Sequence, residues 1–181
     1  MKKKVAFLGV FLALALVCSY IESLIPFYFG VPGMKLGLTN IVILLVLYYA
    51  GIKDAFLISI CRVFLAGFMF GNGFSIIYSL AGGMLSLLVM VLLKQTRKFQ
   101  MVTISVCGGI FHNLGQIIVA VFVVDNAYLF SYFPLLFVGG AITGFLIGLL
   151  AREIYGRTYK YFNFSWRRYV FLYFRRAGRS K

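Results

Sequence analysis

Apolar residues in this chain come in long blocks, not in stripes. Blocks with few interruptions occupy residues 5–25, 36–51, 55–70, 74–93, 101–124 and 129–151. A helix needs about 20 apolar residues to cross the hydrocarbon of a bilayer, so the pattern predicts six transmembrane helices. The second and third blocks are short and joined by Gly51-Ile52-Lys53-Asp54, which predicts a tight hairpin. After Ala151 the pattern changes. Tyr155, Tyr159, Phe162, Trp166, Tyr169 and Tyr173 recur at alternating steps of four and three, which is one helical stripe, and Arg157, Lys160, Arg167, Arg168, Arg175 and Arg176 surround it. A helix of that make-up is expected to lie along the headgroups of the inner leaflet. The organisation is therefore a six-helix membrane domain over 1–151 and a basic, aromatic cytoplasmic tail over 152–181.

Composition agrees with the blocks. At 62% hydrophobic and 12% charged residues, the chain is too apolar for a water-soluble domain of 181 residues and reads as an all-α integral membrane protein. Charge adds orientation. Of 18 Lys and Arg, sixteen fall at the N-terminus, in the connectors at Lys53 and at 94–98, and in the tail; one, Lys35, falls on the other side, and Arg62 lies within a span. That bias predicts both termini on the cytoplasmic side. It also makes the anionic inner leaflet, not a nucleic acid, the partner of the basic residues. The opening 1–25 resembles a signal peptide with a poor lipobox at Leu16-Val17-Cys18, but Val17 stands where a small residue is needed and the apolar run continues, so it is expected to remain as the first span. Cys18, Cys61 and Cys107 each sit inside a span and are read as packing residues.

Against this background a few polar residues need explaining. His112, Asn113 and Gln116 share a sector of one helix, with Gly108, Gly109 and Gly115 leaving room beside them. They either line a cavity or bond neighbouring helices. Arg62 lies about 12 Å from the outer end of its span and needs an anion. It either pairs with Glu22 or, alone or with Lys35, meets an anionic group of a ligand while Glu22 orients it. Gln116 falls at the same depth. Gly82-Gly83 suggests a close helix crossing. Small residues recur at Gly9 and Ala13, Ala15 and Ser19, and at Gly140, Gly144 and Gly148. Such ladders let helices approach closely. For the last, packing within the chain is the expectation; for the first, packing and docking to another subunit stand even. The loop 26–35, rich in Pro, Gly and aromatics, either caps a pocket or simply connects two spans.

Catalytic motifs are missing. Prenyl diphosphate chemistry needs clustered aspartates to hold magnesium, and Asp54 and Asp125 stand alone. No phosphate loop, His-Glu-x-x-His or Gly-x-Ser-x-Gly occurs. The chain is expected not to be an enzyme and to hold no metal or cofactor.

Five segments in order, 13–26 (ALALVCSYIESLIP), 32–41 (PGMKLGLTNI), 62–71 (RVFLAGFMFG), 79–90 (SLAGGMLSLLVM) and 112–116 (HNLGQ), resemble the Gx transporter family, also labelled heptaprenyl diphosphate synthase component I. The resemblance covers about 5–150. That family is similar to the six-helix substrate-binding subunits, or S components, of energy-coupling factor transporters, which sit in the bacterial cell membrane and dock on a membrane scaffold driven by ATPase subunits. The resemblance implies an S-component-like bundle that binds a small anionic, isoprenoid-like or vitamin-like molecule. It casts Glu22, Lys35, Asn40, Arg62, His112, Asn113 and Gln116 as pocket residues, and Gly9 and Ala13 as the docking face. The family's older label implies an alternative, a non-catalytic membrane accessory in prenyl diphosphate or menaquinone synthesis. A third possibility is an anchoring protein without a ligand. The tail has no counterpart in the resemblance.

Overall fold

A computed structural model describes the backbone of residues 2–24 and 37–177 and the side chains of 4–24 and 37–159. In chain order the elements are α1 (Lys2–Leu24), α2 (Asn40–Tyr49), α3 (Ile52–Phe70), α4 (Gly73–Thr96), α5 (Met101–Val124), a 3-10 turn (Ala127–Tyr132) and α6 (Phe133–Ala177). No strand occurs among the described residues. The turns follow from local chemistry. Gly51 takes a φ of +100°, which L side chains avoid, and so lets α3 start with only Ala50 and Gly51 between it and the end of α2. Asn72 caps α4 by accepting a hydrogen bond from the Ser75 N–H at 2.8 Å.

Four of the helices are long and apolar enough to cross a membrane: Lys4–Leu24 in α1, then α4, α5, and the stretch Ala127–Tyr159 that leads into α6. Six had been expected, and α2 and α3 differ for separate reasons. Helix α2 has only 10 residues, about 15 Å at 1.5 Å per residue, half the hydrocarbon thickness. It is apolar on every side because protein surrounds it on every side: Val42 through Leu47 are all buried, and α2 touches each of the other five helices. Helix α3 is longer than expected, since Lys53 and Asp54 form its first turn instead of the connector. Asp54 suits the positive end of the helix dipole and also pairs with Lys4 of α1 at 2.7 Å.

The remaining helices pack around α2. On α1, Phe11, Ala15, Ser19 and Glu22 face inward, while Val10, Leu14, Val17, Ile21 and Leu24 form an exposed apolar stripe. Both sets step by three and four, as two faces of one helix must. Helix α5 runs between α4 and α6 with main chain nearly against main chain. A Cβ built on Gly115 would stand 2.8 Å from the Ala81 carbonyl oxygen, and one on Gly144 would stand 2.7 Å from that of Ser105. Gly109 faces the Gly140 carbonyl even more closely. The ladder at Gly140, Gly144 and Gly148 therefore packs within the chain, and Gly82 marks a close crossing, both as expected. Gly108, Gly109 and Gly115 do not leave open room, however. Met90, Gly140 and Ala81 fill it.

The lower end of α2 is tied down by polar and aromatic contacts. Lys94 of α4 donates to the Leu47 carbonyl and lies 4.7 Å from the centre of the Tyr48 ring. Tyr49 is hydrogen-bonded to Thr158 of α6, and its ring lies 5.1 Å from that of Tyr155. The tail is not a separate helix. Helix α6 continues unbroken past Ala151 for 45 residues in all, about 68 Å. The side chains of the aromatic and basic stripe beyond Tyr159 lie outside the described residues.

Candidate functional site

The site forms where α1 stops and α2 begins. Glu22, on the inward face of α1, accepts hydrogen bonds through Oε1 from the backbone N–H groups of Gly37 and Leu38, the latter at 3.2 Å. One turn earlier, the Ser19 and Thr39 hydroxyls meet at 3.0 Å. These bonds fix the start of α2 against α1. Gly37 has a φ of +82°, and a Cβ there would stand 3.0 Å from both Asn40 Nδ2 and His112 Cδ2. Only glycine lets the imidazole and the Asn40 amide come so close to this turn.

From His112 the contacts pass to α4. A Cβ on Gly82 would stand 2.7 Å from the His112 carbonyl oxygen and 2.9 Å from Gln116 Cγ. The next residue, Gly83, turns toward α3, where a Cβ would stand 3.4 Å from Arg62 Nη2 and 3.6 Å from Ser59 Oγ. The paired glycines thus bring α5's polar residues and α3's arginine to the two sides of one helix, α4. Arg62 precedes the end of α3 by eight residues and Gln116 precedes the end of α5 by eight, so both lie about 12 Å below the same end of the bundle.

Burial here is nearly complete while hydrogen bonding is not. Arg62 is 2% exposed, Glu22 5% and Gln116 0%. Arg62 Nε and Nη2, Glu22 Oε2, Ser59 Oγ and Ser79 Oγ have no hydrogen-bond partner among the described residues. Glu22 is near enough for its charge to act on Arg62, yet no nitrogen of Arg62 comes within 4 Å of its oxygens. Native proteins pair nearly all buried polar atoms because leaving one unmade costs about 1–3 kcal/mol, more for a charge. Several orphans on neighbouring helices in one half of the bundle are the mark of a site shaped for something else.

A family model for heptaprenyl diphosphate synthase component I matches residues 11–154. The chain belongs to this family. Within the component I match lie all the residues just described, together with the glycine crossings that position them, and most of the tail falls outside it. No curated protein and no solved structure matches the chain.

Of the residues that the sequence singles out, this component I protein gathers Glu22, Asn40, Arg62, His112 and Gln116 around the start of α2. Asn113 goes elsewhere: its amide donates to the Leu136 carbonyl of α6 at 2.7 Å, a bond between helices. Lys35 lies outside the described residues, as does the whole of the loop 26–35, for which the sequence leaves capping a pocket and connecting two spans both open. Gly9 and Ala13 are exposed on α1, and a Cβ on Gly9 would meet nothing within 4 Å. Ser59 and Ser79 escaped the sequence reading. Their signal was positional, since Ser59 is one turn before Arg62 and Ser79 one turn before Gly82-Gly83.

Proposed function

We propose that the protein is the substrate-binding membrane subunit of an energy-coupling factor-like transporter, not itself catalytic, that takes a small compound bearing an anionic group. The observation that carries this reading is Arg62: a guanidinium that keeps its charge, 2% exposed, with two nitrogens unpartnered and no carboxylate in contact among the described residues. A buried guanidinium with unfilled N–H donors is costly, and an anionic group of a ligand would fill them. The ligand enters from the extracytoplasmic side. Among the described residues every Lys and Arg except Arg62 lies toward the opposite end of the bundle, which fits a cytoplasmic face there in a bacterial cell membrane. The exposed small residues Gly9 and Ala13 supply a face on which a scaffold helix can dock closely. The family is described as one component of a larger assembly, and a scaffold with ATPase subunits is the partner this reading requires.

Affinity purification of the full chain from its native membrane tests the assignment. Recovery of a membrane scaffold and ATPase subunits supports it, and a Gly9→Leu, Ala13→Leu double variant should lose them. Recovery of a soluble prenyl synthase in their place would replace transport with the accessory role in prenyl diphosphate synthesis.

A further inference from the structure

The orphaned atoms around Arg62 differ in kind, and the difference constrains the ligand. Nε and Nη2 of Arg62, both unpartnered among the described residues, lie on the same edge of the guanidinium. That edge carries two parallel N–H donors and clasps a carboxylate or phosphate with two bonds. Glu22 has the opposite requirement. Its Oε1 already accepts from Gly37 and Leu38, while Oε2 is buried without a donor, and a carboxylate oxygen can only accept. The Ser59 and Ser79 hydroxyls, also unpartnered, serve either way.

Net charge narrows the choice further. A ligand with only an oxyanion would satisfy Arg62, but it would add a second negative group beside Glu22 and leave Oε2 without a donor. A ligand with only a cation would do the reverse. Either leaves an uncompensated charge in a buried site. A molecule carrying both groups satisfies both residues and leaves the sum of charges unchanged.

Resting on the substrate-binding reading above, we infer that the ligand is a small amphoteric molecule, with its carboxylate or phosphate on the Nε and Nη2 edge of Arg62 and its ammonium or N–H donor on Glu22 Oε2. A hydrocarbon-tailed diphosphate lacks the second group and is a poor fit.

The test uses the full chain in nanodiscs and equilibrium dialysis. The probes are the ω-amino acids from glycine to 6-aminohexanoate and phosphoethanolamine, set against acetate, hexanoate, hexylamine and geranyl diphosphate. At least one two-ended probe should bind about tenfold or more tightly than every one-ended control, as expected when a charge-assisted bond is gained. Glu22→Gln, which keeps the Oε1 acceptor, should remove that advantage by lowering the affinity of the two-ended probe and raising that of the matching monoacid, whose charge no longer meets a second one. Arg62→Gln should abolish both. A monoacid or geranyl diphosphate that binds the unmodified protein as tightly as any two-ended probe, and loses that binding in Arg62→Gln, would overturn the amphoteric ligand and leave the substrate-binding subunit standing. If no probe binds in an Arg62-dependent way, both fall. The ranking of probes on the unmodified protein decides the question even where a variant does not fold.

Discussion

The two ends of α2 are built from similar side chains and treat them differently. At its C-terminal end each polar group has found another: Lys94 reaches the Leu47 carbonyl, Tyr49 meets Thr158, and Lys4 holds Asp54. At its N-terminal end Glu22 and Arg62 lie near one another without touching, among serine hydroxyls that have no partner among the described residues. Evolution had the means to pair these groups and used them only at one end. Contacts of the first kind hold the bundle together; the second end keeps bonding capacity in reserve, at a cost in stability.

This contrast can be broken by substitution. Arg62→Met removes a buried guanidinium with unfilled N–H donors, so stability should stay level or rise by as much as ~1–4 kcal/mol, while ligand binding falls about a hundredfold or more. Thermal unfolding in detergent together with dialysis would show it, and a large drop in Tm would mean that Arg62 is structural like its counterparts below. Gly82→Ala should cost ~1–3 kcal/mol and weaken binding as well, because its Cβ would stand 2.7 Å from the His112 carbonyl oxygen. Lys94→Met should lower stability by about 1 kcal/mol, a modest figure because Lys94 is only half-buried, and leave dialysis results unchanged. Arg157→Ala, which removes an exposed i,i+4 pair with Glu153, should alter neither measurement detectably.

How much of this was legible in the residues depends on which physical rule each feature obeys. The two faces of α1 and the glycine ladder of α6 follow helical period and side-chain size, and both can be read directly. The depth shared by Arg62 and Gln116 is simple counting along helices. What could not be read was which neighbour each face would meet. His112, Gln116 and Asn113 span about 100° of the α5 surface, wide enough that the first two meet α4 while Asn113 meets α6. Helix α2 was misjudged in length because a uniformly apolar run looks alike whether lipid or protein surrounds it. The tail's amphipathic stripe implies a surface helix, but nothing in a stripe says whether a break precedes it, and α6 runs on without one.

The glycine seams also determine which part of the bundle is free to move. Where Gly82 meets Gly115 and Gly109 meets Gly140, backbones press on each other with no side-chain cushion whose rotamers could absorb sliding. Helices α4, α5 and α6 are thereby welded into a single plate. On the substrate-binding reading proposed above, a solute bound for Arg62 would not part that plate, and its doorway would belong to α1 and α3: among the described residues α1 packs on α2 and α3, and α3 touches the plate at α4 alone.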